Sequence, residues 1–157
     1  MRIASSSIFA LLSLTFIGAS NAEDNPNFES LQRAEKITCT FEHTVKSDLK
    51  DGRLVIQQTK EKSEMVFEAI DFRGGKARLV STGGTLNAFL THGGATFMEG
   101  PGFDNHSFTT VFPVASSKAG ELVAVESVHA LIPGIRLKIG AHFYTPEQKY
   151  GSCKVRP

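Results

Sequence analysis

The residues able to do chemistry are five histidines, two cysteines and a scatter of serines and carboxylates. His43, His92, His106, His129 and His142 are dispersed. No two have zinc-motif spacing, and there is no His-Glu-x-x-His pair. Ser81, Ser107 and Ser127 sit in no Gly-x-Ser-x-Gly elbow. Gly83-Gly84 and Gly93-Gly94 could hold an anion on backbone N–H groups, but they lack the lysine and the strand-to-helix setting of a phosphate loop. Tight hairpin turns account for them. Asn105-His106-Ser107 matches a glycosylation acceptor, which matters only in a eukaryotic secretory pathway. These patterns name no catalytic residue, metal or cofactor, and they weigh against an enzyme.

The remaining candidates are binding residues: His43, Phe97, Phe103 and His129. Phe97 and Phe103 bracket Gly100-Pro101-Gly102 in the breaker-rich segment 93–106, longer than its neighbours and a natural place for recognition. The competing reading has Phe103 folding back over the end of the domain. His43 and His129 share strand faces with apolar residues, which predicts core positions.

The elements that must position these residues are strands. In Ile37 to Val45 the odd positions Ile37, Cys39, Phe41, His43 and Val45 share one face, and Thr38, Thr40, Glu42 and Thr44 the other. Tyr150 to Val155 alternates too, with Cys153 on the face of Gly151 and Val155. A Cys39–Cys153 disulfide would make the first and last strands neighbours, which closes a barrel or stitches a sandwich at one seam. The alternative is two buried free thiols. The N-terminus favours the bridge. Residues 1–22 read as a signal peptide: Arg2, an apolar run Ile8 to Ala19, and small residues at Ser20-Asn21-Ala22. Export to an oxidising periplasm or medium follows from it. The apolar run is too short to span a membrane, and no later run is longer.

Residues 23–157 are one domain by size. Arg2 is the one charged residue of the leader, so this part carries 16 basic and 16 acidic side chains. They are interspersed, which argues against nucleic acid or an anionic membrane as partner. Residues 23–36 form a leader or a short helix: Asn25-Pro26 fits an N-cap and N1, and Phe28, Leu31 and Ala34 follow at three-residue spacing. From 37 onward, turns recur every eight to twelve residues and no helical period competes. The pattern predicts an all-β, antiparallel up-and-down barrel of about 8–10 strands over 37–157. Its turns include Asp51-Gly52 and Pro133-Gly134, and Thr145-Pro146-Glu147 leads into the closing strand.

Ile37-Thr38-Cys39-Thr40-Phe41, Ala95-Thr96-Phe97-Met98-Glu99, Thr109-Thr110-Val111-Phe112, Ser127-Val128-His129 and Tyr150-Gly151-Ser152-Cys153 together resemble a group of small exported bacterial β-barrel proteins of uncharacterised function. The resemblance covers roughly residues 36–155. It implies a lipocalin-like barrel in a Gram-negative periplasm or medium and transfers no catalytic residue; His129 lies in one of its motifs.

Two functions compete with an enzyme. The first, which the sequence favours, is a binding module whose interior or mouth holds a small apolar molecule. The second is a protein-interaction module, such as a secreted inhibitor of a host enzyme. Bacterial lysozyme inhibitors of this general kind use a Ser-Gly loop with a nearby tyrosine. Ser81-Thr82-Gly83-Gly84 approaches that pattern but lacks the tyrosine.

Overall fold

The computed structural model describes residues 25–51, 53–100, 105–136 and 142–157. The expected signal peptide, Phe103 and residues 137–141, between the expected turns at Pro133-Gly134 and Thr145-Pro146-Glu147, lie outside these residues. The chain folds as α1 (Pro26–Gln32), β1 (Lys36–Lys50), β2 (Arg53–Thr59), β3 (Ser63–Asp71), β4 (Lys76–Leu79), β5 (Thr85–Thr91), β6 (Gly94–Glu99), β7 (Asn105–Ala115), β8 (Leu122–Arg136) and β9 (His142–Arg156). All pairings are antiparallel and sequential from β3 to β9, and β1 pairs with β9. Eight strands thus close a barrel, and β2 stands outside the ring on β1.

Closure lies at the β1–β9 seam. Cys39 is directly opposite Cys153, and the two form a disulfide with Cα atoms 3.9 Å apart. The core packs behind it. Ile37, Cys39 and Phe41 of β1 are buried with Phe67, Leu79, Phe97, Val111 and Cys153. Phe67 and Phe97 stack at 4.1 Å between centroids and fill the middle of the barrel, with Ala77, Ala88, Ala95 and Ala124 leaving room for the rings. The helix closes one end. Asn25 caps it by accepting from the Asn27 N–H, Pro26 occupies the first turn, and Phe28 and Leu31 are buried. Asn25 Nδ2 donates to the Pro113 carbonyl at the end of β7, and Phe28 stacks on His92 beside the β5–β6 turn.

Strand lengths differ widely. β4 has four residues, while β1, β8 and β9 have fifteen each. The sheet therefore continues past the barrel on the side of β8, β9, β1 and β2. The change happens at Glu42–His43. Residues 36–41 of β1 pair with β3 and residues 44–50 with β2. Lys60–Lys62, between β2 and β3, interrupt pairing along that edge. On the other edge the β1–β9 register shifts between Phe41 and His43, a bulge that takes up Glu42. The bulge presses β1 onto Gly151. A Cβ at Gly151 would collide with the Thr40 carbonyl oxygen and lie 2.7 Å from Phe41 Cα.

The bulge corrects the alternation expected for β1. Odd residues point inward up to Phe41, but beyond Glu42 the inward residue is Thr44, which is buried, and His43 is exposed. His129 is exposed as well, because β8 turns Leu122, Ala124 and Glu126 inward and its odd positions outward. Neither histidine is a core group. Two expected breaks are also absent: Pro133-Gly134 lies within β8 and Thr145-Pro146-Glu147 within β9. The β8–β9 register shifts between Leu131 and Arg136, and at such an irregularity a proline costs no ladder hydrogen bond. The stretches that those two expected turns would have cut into three strands are thus two long ones.

Two variants test the seam. Replacing both Cys39 and Cys153 with Ala removes a bridge across a loop of 114 residues and is expected to lower unfolding free energy by about 4 kcal/mol in chemical denaturation. Gly151→Ala is expected to cost about 3 kcal/mol with the disulfide intact, because its obstruction is backbone rather than a movable side chain.

Candidate functional site

Polar residues gather in two places around the bulge. The first is inside the barrel, at the end away from α1. Glu126 is buried, and its carboxylate accepts from Lys149 Nζ at 3.0 Å. Lys149 also lies 3.8 Å from Glu147, and Lys46 pairs with Glu147 at 3.3 Å. Thr44 and Thr109 are buried beside them, and Thr109 Oγ1 contacts Met65 Sδ at 3.8 Å. These charges answer one another. The sequence carries a signal for it: Glu126 falls on the same face as Leu122 and Ala124, which is costly unless a cation meets it.

The second is outside. His43 and Tyr150 are direct cross-strand neighbours and both point outward. They floor a cleft of about 590 Å³ lined also by Thr44, Val45, Gln58, Thr59 and Lys60. A second hollow of about 320 Å³ shares His43 and Tyr150 and is walled by Ser116–Lys118. The interruption at Lys60–Lys62 leaves the buried hydroxyls Thr59 Oγ1 and Ser63 Oγ without a hydrogen-bond partner, and Thr59 lines the first cleft. Lys118 Nζ donates to Glu42 Oε1 at 2.8 Å and ties its loop over the bulge. That hydrogen bond, helped by the ammonium charge, holds the Glu42 carboxyl below its ordinary value and raises Lys118.

From this centre the outward face runs across the sheet without formal charge. Register places Phe89, Thr96, Thr110, Val125, Tyr150 and His43 side by side on β5 to β9 and β1. The adjacent row is Asn87, Met98, Phe108, Ser127, Gln148, Val45 and Gln58. Neither row contains Lys, Arg, Asp or Glu. Phe89 is 48 % exposed, Phe108 38 % and Tyr150 40 %. The wall formed by β3, β4 and the start of β1 is the opposite: Glu68 there accepts from both Lys36, at 2.7 Å, and Arg78, at 2.8 Å.

The four candidate binding residues do not form one site. His43 lies at the centre of the outer cleft. Phe97 is buried in the Phe67 stack. His129 is exposed on β8 opposite His106, whose Nδ1 lies 2.6 Å from the Gly100 carbonyl oxygen. Phe103 lies outside the described residues. Among the described residues, no three His, Cys, Asp or Glu side chains converge as metal ligands.

Comparison with protein-family models, curated proteins and solved structures finds no match. Among the described residues no helix is long and apolar enough to cross a membrane.

The Lys118–Glu42 tether has a pH window. Glu42 is lowered in the folded state, so the tether is intact above the ordinary carboxylate value of 4.5 and is lost as pH falls through the depressed folded value. Lys118 is raised, so the tether persists past 10.5 on the alkaline side. An NMR titration should find Glu42 below 4.5 in the native protein and returned toward it in Lys118→Ala. Both groups are exposed, so overall stability should scarcely change.

Proposed function

We propose that this protein is a non-enzymatic binding module that engages a protein partner with its outer wall rather than carrying a ligand in its lumen. The observation that carries this reading is the pair of uncharged rows, where exposed Phe89, Phe108 and Tyr150 stand among Thr, Ser, Asn and Gln side chains. Exposed apolar and aromatic side chains gathered on one face mark an interaction site, and aromatic groups ringed by neutral hydrogen-bonding residues are the usual anchors of protein interfaces. The cleft at His43 and Tyr150 supplies relief on an otherwise even wall. A small apolar cargo is the second reading, but the middle of the lumen is occupied by Phe41, Phe67 and Phe97, and the hollow of about 350 Å³ at its far end is lined by the charged groups of Glu99, Glu126 and Lys149, which suit no apolar molecule. We further read the chain as exported. The disulfide is compatible with an oxidising compartment, as is the resemblance to small exported bacterial barrels.

Charge placed on the face tests the reading. Phe108→Lys and Tyr150→Lys change exposed positions, so thermal unfolding should be nearly unaffected. Binding to the physiological partner, measured by calorimetry, should weaken at least tenfold for each. Wild-type affinity in both variants would refute the outer-wall reading, and equal loss in Arg78→Glu on the charged wall would show that the face has no special role.

A further inference from the structure

Each of the eight strands of the ring has a partner on both sides, but β2 among the described residues has one on one side only. One edge of β2 pairs with Thr44–Lys50 of β1; no strand among the described residues pairs with the other. An open strand edge is a template for another strand, and proteins usually guard it with a proline, a bulge or an inward-pointing charge. Leu54-Val55-Ile56-Gln57-Gln58-Thr59 contains none of these. Instead Leu54 is 67 % and Ile56 63 % exposed. Both point outward, because Gln58 lies opposite Val45 and Ile56 opposite Ser47.

We propose that β2 pairs antiparallel with β2 of a second copy of this chain, joining the two outer sheets across a two-fold axis. Two-fold symmetry perpendicular to the sheet keeps like faces together, so directly opposed residues must share parity. The register that buries most apolar surface puts Val55 opposite Val55 of the partner subunit and Leu54 opposite Ile56 of the partner subunit, twice over. Arg53 then faces Gln57 of the partner subunit. No like charges meet within the strand, because Leu54 to Thr59 carries none. Self-complementarity favours a second copy over a charged peptide, which would find no counter-charge along this stretch. The seam is one strand long, at the small end of protein interfaces, so the dimer forms with rising concentration rather than permanently.

The inference does not rest on the outer-wall reading, and its test separates the two. Sedimentation of the disulfide-intact protein over a wide concentration range should show the mass moving from one chain toward two. Ile56→Lys and Leu54→Lys should weaken this at least tenfold while leaving the circular dichroism spectrum unchanged, and Phe108→Lys should not affect it. Val55→Cys should form a covalent dimer under mild oxidation, just as Cys39 and Cys153 meet across β1 and β9; Val80→Cys, exposed on another part of the barrel, should not. A wild-type mass of one chain at every concentration would overturn the proposal, as would a dimer that survives Ile56→Lys.

Discussion

The bulge at Glu42, pressed against Gly151 beside the Cys39–Cys153 bridge, is the constraint on which the rest of the architecture depends. Below it, β1 behaves as an ordinary barrel strand, with Ile37, Cys39 and Phe41 in the core. Above it, the faces exchange. Thr44 and Lys46 turn toward the lumen, where Lys149, Glu147 and Glu126 await them, and His43 turns to solvent beside Tyr150. The same step frees the upper half of β1 from β3 and gives it to β2. One added residue thus makes the polar end of the lumen, the outer cleft and the strand that lies outside the ring. The disulfide holds the seam in register at the place where the bulge strains regular pairing.

Inside and outside have divided roles. The Phe67–Phe97 stack, a surround of alanines that admits it, and α1 across one end leave one half of the lumen packed. The far half is polar, but its cations and carboxylates are matched to one another. The outer wall is divided in turn. Around β3, β4 and the start of β1 it is salt-bridged, as with Lys36, Glu68 and Arg78, while from β5 round to β2 two adjacent rows are uncharged with aromatic groups projecting. Stability of the fold does not require a neutral face with exposed phenylalanines, and water disfavours it.

Much of the fold was legible in the sequence, and the failures have physical causes. Period-two alternation located the strands, Asn25-Pro26 and the Phe28, Leu31, Ala34 spacing offered a helix as one of two readings of that segment, and the two cysteines on apolar faces, if bridged, placed β1 beside β9. The bulge was invisible because no glycine or proline marks Glu42; the glycine it requires is Gly151, more than a hundred positions away. Without the bulge, parity assigned His43 to the core. His129 was misplaced because Val125 and Val128 sit on opposite faces of β8, so that strand's apolar pattern does not define its inner side. Pro133 and Pro146 were read as breaks because proline usually ends a strand, and only the partner strand reveals that the ladder already shifts near Pro133. The uncharged rows could not be seen at all, since they arise from register between strands. Glu126 was within reach: a carboxylate in phase with Leu122 and Ala124 calls for a buried cation.

The measurement that bears most directly on the central claim is native mass spectrometry of the protein purified without denaturation, compared with its denatured mass. A protein that carries no small cargo predicts native and denatured masses that agree for each chain, both two hydrogens below the mass of the fully reduced sequence. An additional small mass retained by the native protein and released on unfolding would contradict the account, because it would reveal a small-molecule cargo in a protein assigned here to bind a protein partner with its outer wall.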